Sequence, residues 1–382
     1  MASKIFKNYV NDWYMRRYTN SGKFFYCQIH LLRSCQNNCV HCYFREMENK
    51  SEFQLSIENI KDIISKIKTI SSELDLVPHI DYTGGDPLLH PHFFDIAEYT
   101  ASQKLLFGIK GNPHLLNNTN LKNLKSLGVH NIRLSLEGLN DYNDSIRGKG
   151  SFKTTIEAVS RIKEYGLPVH IHTTISKFNM MQLIPLYLFF VSNDFLIDNF
   201  TWSRFWSLDD LEDCLSREQV ENFFLMLVEF YDNLFSTNNF YTTNIKGELV
   251  PKIYIGFKEH LWFPFLYQKG YIEESLAMKI IETPNCLNCS VNQHAYIIDN
   301  NGDVYSCRKI DKSLLGNILR KPFDEMLSSA NKCSPADSLC GSCKYFNGCG
   351  GCAAIGKSKT GSAQTGDPDC FIDNSPCNIL FT

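Results

Sequence analysis

Two hydrophobic rhythms alternate along the first two hundred positions. FFYCQIHLL (24–32) reads as a strand, and IENIKDIISKIKTI (57–70) repeats its apolar residues at helical spacing. HIDYT (79–83) predicts a second strand ending at Gly84-Gly85, followed by the helix HFFDIAEYTASQ (92–103). LLFGIK (105–110) then predicts a strand, NLKNLKSLG (120–128) a short helix and HNIRLSL (130–136) a fourth strand. SFKTTIEAVSRIKEYG (151–166) reads as a helix closed by Gly166. PVHIHTTI (168–175) is a strand carrying His170 and His172 on one face, MMQLIPLYLFFVS (180–192) a helix and DNFTWSR (198–204) a sixth strand. Six βα units in succession predict a parallel sheet with helices outside it and ligands at the C-terminal ends of its strands. Periodicity alone leaves a curved partial barrel and an open doubly wound sheet both standing.

Beyond residue 205 the pattern changes. Residues 206–280 are rich in aromatics and hold one clear helix, SREQVENFFLMLVEFYDNLF (216–235), with an irregular stretch around HLWFPFLYQKGY (260–271). They predict a bridge or cap. Residues 281–382 are loops, glycines and cysteines, with one hairpin, AYIIDNNGDVYSC (295–307), turning at Asn301-Gly302. So little apolar material cannot fold by burial alone, which predicts metal centres in this segment. Three regions follow, 20–205, 206–280 and 281–382.

Charge adds little: 38 basic against 41 acidic side chains give no sign of a nucleic-acid partner. The N-terminus lacks a signal peptide, and LIPLYLFFV (183–191) is too short to span a bilayer, so a soluble cytoplasmic protein with no membrane partner is expected. Cysteine changes the picture. Of fifteen, four precede residue 43, ten follow residue 285 and only Cys214 lies between. In a reducing compartment such clusters bind metal or do redox chemistry more often than they form disulfides.

The densest cluster is SCQNNCVHCYF (34–44), where Cys35, Cys39 and Cys42 follow the first strand. Three thiols can hold three corners of an iron–sulfur cubane and leave one iron free, whereas such clusters usually take a fourth cysteine. The alternative is a zinc site completed by His41 or Cys27, and with it a zinc-binding interaction protein rather than an enzyme.

The loop resembles the signature of the radical S-adenosylmethionine (SAM) superfamily. TGGDP (83–87) resembles its Gly-Gly-Glu-Pro element, with Asp86 in place of the usual Glu, and SLEG (135–138) its Ser-Leu-Asp-Gly element. DYNDSIRGKGSF (141–152) is similar to the family's Arg-Gly…Gly-Ser-Phe run, in which Arg147 would meet a carboxylate. The resemblance implies a partial (β/α)6 TIM-like barrel and a SAM-binding 4Fe–4S cluster on Cys35, Cys39 and Cys42. It also implies SAM contacts from His41, Gly84, Gly85, Asp86, Pro87, Ser135, Glu137 and Arg147. The two glycines would let backbone groups approach the methionyl amine.

The C-terminal cysteines resemble the SPASM extension of that superfamily. Cys340-x2-Cys343-x5-Cys349-x2-Cys352 is one residue shorter between its last two cysteines than the usual block. Carried over by position, one auxiliary 4Fe–4S cluster would be held by Cys286, Cys289, Cys307 and Cys352. A second would be held by Cys340, Cys343, Cys349 and Cys370, with Cys377 competing for the last place. Three clusters would use eleven of the fifteen cysteines.

The resemblance implies a 5′-deoxyadenosyl radical directed at a ribosomally made precursor peptide, with a flavodoxin or ferredoxin as reductant. Sulfatase maturases, which make formylglycine, carry an Asp after the cysteine that follows the hairpin; here Arg308 stands there, against that reading. Thioether-forming (sactipeptide-type) and cyclophane-forming (triceptide-type) maturases remain. Few residues precede the first strand, too few for a winged-helix leader-binding module, and the first loop looks like the compact cyclophane enzymes. The expected product is an aromatic ring carbon joined to a β-carbon.

Overall fold

The computed structural model describes residues 4–42, 54–193, 197–207, 211–237, 240–243, 249–284, 286, 294–307, 309–310, 313–328 and 338–381. Twelve strands are assigned among them. They are β1 (Phe24–Leu32), β2 (Val77–Gly84), β3 (Leu106–Lys110), β4 (Asn131–Ser135), β5 (Val169–Ile175), β6 (Asn199–Arg204), β7 (Tyr241–Thr243), β8 (Leu249–Pro251), β9 (Tyr254–Gly256), β10 (Ala295–Ile298), β11 (Asp303–Tyr305) and β12 (Leu314–Asn317). Ten of these form one sheet in the order β12-β11-β10-β1-β2-β3-β4-β5-β6-β9, while β7 and β8 pair separately. From β10 through β1 to β9 every neighbouring pair is parallel, and only β10–β11 and β11–β12 are antiparallel.

The six expected strands and the helices between them appear within a few residues of their expected ends. The helix after the three-cysteine loop runs Ile57–Glu73, buries Ile60, Ile63, Ile64, Ile67 and Ile70, and begins where the Ser56 side chain accepts from the Asn59 amide. The helix Arg217–Phe235 starts on a full capping box, Ser216 with Gln219. Three features depart from the pattern. An N-terminal helix, Lys4–Asn20, packs Phe6, Val10 and Tyr14 into the core, and its Tyr9 hydroxyl donates to the Ile255 carbonyl. The stretch expected to be irregular holds the helix Trp262–Gln268, with Trp262 stacked on Phe224 at 4.3 Å. The hairpin at Gly302 (φ +85°) is continuous with the barrel sheet, because β10 pairs parallel with β1.

The sheet has two unlike faces. Phe25, Cys27, Ile29, Ile80, Tyr82, Phe107, Ile109, Ile132, Leu134, Val169, Ile171, Phe200 and Trp202 are buried beneath the helices. The alternate positions are polar: Tyr26, Gln28, His79, Asp81, Lys110, Asn131, Arg133, His170, His172 and Thr201. Parallel sheets covered on both sides have strands that are apolar on both faces, so this one is covered on one side only. Lys110 on β3 donates to Tyr26 and, at 3.0 Å, to Gln28 on β1, reaching past β2. Strands lie about 4.8 Å apart, so the two side chains meet across two strand spacings of uncovered polar face. The open-sheet alternative is thereby set aside.

Candidate functional site

Cys35 follows the end of β1, and the loop it opens is pinned from three directions. Gly85 and Asp86 amides donate to the Leu32 and Ser34 carbonyls, each at 2.9 Å. A Cβ on Gly84 or Gly85 would lie 2.1 Å from the Leu32 oxygen or 1.9 Å from the Ser34 oxygen. The bare glycines therefore admit the backbone of the cysteine loop itself, a closer and more immediate need than an approach to a methionyl amine. From β3, Asn112 Nδ2 lies 2.9 Å from Cys35 Sγ and 3.1 Å from Gln36 Oε1, and the Asn37 amide group lies 3.4 Å from its Oδ1. From the third side the Val40 amide donates to the Ile146 carbonyl at 2.9 Å.

Ile146 belongs to the short helix Asn140–Arg147, which ends at Gly148 with φ +104°. Asp144 explains the Arg-Gly…Gly-Ser-Phe spelling, since its carboxylate accepts from the Gly150 and Phe152 amides and starts the next helix. The helix delivers Arg147 to Glu137. Arg147 Nε donates to Glu137 Oε1 at 2.9 Å, and Nη1 lies 3.8 Å from Cys39 Sγ. The other Glu137 oxygen accepts from the Thr174 amide at 2.7 Å, and His41 Nε2 lies 3.4 Å from Oε1. Burial would raise the Glu137 carboxyl, but the Arg147 charge and His41 hold it down to about 2. The carboxylate that Arg147 meets is thus the protein's own. Asn143 and Asn179, both buried, fix the Glu137 backbone amide and carbonyl.

Burial raises the Cys39 thiol and Arg147 lowers it, with Cys35 and Cys42 close enough to oppose that. The donor set suits a negatively charged thiolate cluster: a guanidinium and a carboxamide face two of its sulfurs. Zinc with Cys27 as fourth ligand does not fit, because Cys27 is fully buried in the apolar core on the outer face of β1. Asp86 is also fully buried, and burial raises its carboxyl while Gln36 and the Leu88 and Asn112 amides draw it back. Its Oδ1 accepts from Leu88 and caps the turn Pro87–Leu89. Ser135 ends β4 beside His172 of β5.

At the other end of the chain, Cys340, Cys343, Cys349, Cys370 and Cys377 line one cavity together with His260 and Asp367. The Cys340 and Cys377 sulfurs lie 3.6 Å apart, and a Cβ on Gly366 would fall 2.6 Å and 2.7 Å from them. Cys286 is buried, and Cys307 and Cys352 pack on a separate small cluster around Ile310, Ala353 and Ala354. Cys289 and Arg308 lie outside the described residues.

Beside the five-thiol cavity sits an ionic knot. Arg204, at the end of β6, meets Glu259 at 2.9 Å, Asp369 at 3.2 Å and Asp367 more closely still. Lys359 meets Asp369 at 2.6 Å, and His260 bridges Glu259 and Asp367. Glu259, His260 and Asp367 offer ligand atoms within 4.8 Å of one another, but Arg204 already supplies their cation.

Residues 29–190 match the radical SAM superfamily. That stretch is similar to a radical SAM domain. The AdoMet-dependent heme synthase of Methanosarcina barkeri is 25% identical over 351 residues, 89% of this chain and 94% of that protein. The mycofactocin maturase MftC of Mycolicibacterium smegmatis is 24% identical over 360 residues, 89% and 81% of the two chains. Among solved structures, anSMEcpe with bound AdoMet superposes with a TM-score of 0.67 at 18% identity, covering 93% of this chain and 96% of that one. Streptococcus suis SuiB bound to the precursor peptide SuiA superposes with a TM-score of 0.64 at 16% identity, covering 97% and 79%. The α/β fold, with its parallel sheet, is typical of the radical SAM partial barrel and is shared with both of these structures. No described helix is long and apolar enough to cross a membrane.

Three residues of the site escaped sequence reasoning: Asn112, Asn143 and Asn179. Asn112 had a signal, since it stands two residues past the end of β3, where ligand-binding groups gather. The other two act through backbone groups of Glu137 and leave no local signature.

Proposed function

We propose that this radical SAM enzyme oxidatively modifies side chains of a ribosomally made precursor peptide, joining an aromatic ring carbon to a β-carbon. The single observation that carries the radical chemistry is the three-thiol loop with Asn112 and Arg147 turned toward its sulfurs. Cys35, Cys39 and Cys42 would hold the 4Fe–4S cluster, and cluster and SAM, when bound, supply a 5′-deoxyadenosyl radical. His41, Gly84, Gly85 and Ser135 would contact SAM, with the buried Asp86 and Pro87 shaping the turn behind them. Glu137, with both oxygens engaged, positions Arg147 and His41. The peptide substrate is supported by the maturase relatives. The bond formed rests on the resemblance of the first loop to cyclophane enzymes. A soluble cytoplasmic setting and a flavodoxin or ferredoxin reductant belong to the same reading.

Cys340, Cys343, Cys349 and Cys370 would hold one auxiliary cluster, and Cys286, Cys289, Cys307 and Cys352 another. About twelve irons per chain are then expected after anaerobic reconstitution. Cys370→Ala and Cys377→Ala separate the two claimants to the fourth place, since only loss of a true ligand lowers the iron count.

Co-expression with a precursor peptide encoded beside the gene should return a core peptide lighter by two hydrogens per cross-link. Unchanged peptide mass from fully reconstituted enzyme rejects the proposal. A second reading, a tetrapyrrole substrate, is favoured by the heme synthase relative, which aligns over 94% of its length. Incubating the same enzyme with an iron porphyrin and following its mass separates the two.

A further inference from the structure

The concave face of the sheet carries more positive charge than its carboxylates balance. Lys110, Arg133 and Lys258 are its cations. Asp81 is the acid among them, and it is already held by Lys110 at 3.0 Å, by His79 at 3.3 Å and by the Tyr26 hydroxyl. Among the described residues no carboxylate lies within ion-pair distance of Arg133 or Lys258. Arg133 Nε is buried without a hydrogen-bond partner. An unsatisfied buried donor on a guanidinium is costly, and two unpaired cations on one concave surface repel each other as well.

Lys258 lies two residues past the end of β9, whose Gly256 packs against Thr201 of β6. Its side chain is exposed to solvent, and the protein around it, with the Arg133 and Lys110 charges, lowers its ammonium to about 7. The neighbouring histidines do not compensate as cations. Burial, reinforced by the surrounding cations, drives His172 well below its ordinary value, and burial followed by Arg133 takes His170 to about 4.

Position makes the charge useful. Lys110 is two residues before Asn112, which touches Cys35, and Arg133 is two residues before Ser135 on the adjacent strand, paired with Lys110. Two residues of strand are about 7 Å, so these cations lie one layer below the three-cysteine loop, inside the same concavity.

We propose that Arg133 and Lys258 bind a carboxylate of the peptide substrate and so fix it beneath the cysteine loop. The site names the anchoring group of the substrate and rests on the peptide reading above. A guanidinium suits a carboxylate because its fork matches two oxygens at once.

The test uses the reconstituted full chain with SAM and three acetylated hexapeptides of Gly, Ser and Tyr, with affinities read by calorimetry at low salt. One has a free C-terminal carboxylate, one is amidated and carries a single Glu, and one is amidated and neutral. At least one carboxylate peptide should bind about 10-fold tighter than the neutral one. Which of the two does so tells a chain terminus from an acidic side chain. Arg133→Gln and Lys258→Gln should each abolish the preference while keeping the cluster absorbance. Equal binding of all three peptides, binding of none at millimolar concentration, or a preference that survives both substitutions overturns the inference. A carboxylate preference with an unmodified precursor peptide would sink the maturase reading and leave this site standing.

Discussion

The barrel sheet and the C-terminal cysteine region treat charge in opposite ways. On the concave face of the sheet, Arg133 and Lys258 are left without an acid, and the apolar packing of the other face carries the stability. In the C-terminal region the charges close on themselves: Arg204, Lys359 and protonated His260 stand against Glu259, Asp367 and Asp369. His260, wedged between two carboxylates, is raised to about 10 against its burial. Unmatched charge stands on the concave face, and matched charge holds a region that has few apolar residues of its own. A cation without an acid on the open face thus reads as a binding group, and one inside a closed network reads as a fastening.

The largest effect that would sharpen this contrast lies at the loop itself. Cys39→Ala should reduce SAM cleavage to the level of iron-free protein while leaving the unfolding midpoint near wild type, because the barrel core does not depend on that thiol. A large fall in the midpoint would mean that the loop, and not the outer face, holds the barrel together.

Next comes the ionic knot. Arg204→Met strands Glu259 and Asp367 and should cost about 3–5 kcal/mol. Limited proteolysis should then cut the C-terminal hundred residues first. Resistance equal to wild type would show that the cysteine region is held by its thiols alone.

Glu137→Gln keeps the shape but removes the charge facing Arg147, for a loss of about 2 kcal/mol in denaturant unfolding. SAM binding should fall with it, since His41 and Arg147 lose their common anchor. Undiminished SAM affinity would remove Glu137 from the positioning role.

The smallest effect is a pH dependence confined to the sheet. His170 has its ring pKa lowered from the ordinary 6.5 to about 4 by burial and then by Arg133. As pH falls below 6.5 the unfolded chain takes up the proton first, so stability drops between pH 6.5 and 4 and levels off below. Fully enclosed, such a ring would account for a loss of about 3 kcal/mol; partly exposed and screened by solvent, it should account for roughly 2 kcal/mol, and His170→Asn should lack that loss in urea titrations across this range. An unchanged profile would place the acid sensitivity elsewhere.

Much of this was legible in the chain. Strand and helix order followed from period, because the residues involved bury one face and the code for that is local: Ile60, Ile63, Ile67 and Ile70 in the first covering helix, Ile171 and Ile175 in β5. The two-faced nature of the sheet was not read there. Tyr26 and Gln28 alternate with Phe25, Cys27 and Ile29 in β1, but a single strand's pattern does not say whether helices cover both faces of the sheet. The helix Lys4–Asn20 was hidden because three buried residues among seventeen make a thin stripe, and only the aromatic cluster of Phe235, Phe257 and Tyr271 gives Phe6 somewhere to go.

The βα order, the three-thiol loop and the spacing that ends in Arg147 are local matters, since each depends on neighbours a few residues apart. What Arg147 binds, why Gly84 and Gly85 must be bare, and that β10 extends the barrel sheet emerge only once the chain is folded. Folding also brought five cysteines to one cavity and left two cations on the concave face without an acid. Those outcomes depend on distances in space between residues that lie from 10 positions apart, as Glu137 and Arg147 do, to 269, as Tyr26 and Ala295 do. Ion pairing and close backbone approach are properties of distance in space, which a linear pattern does not record.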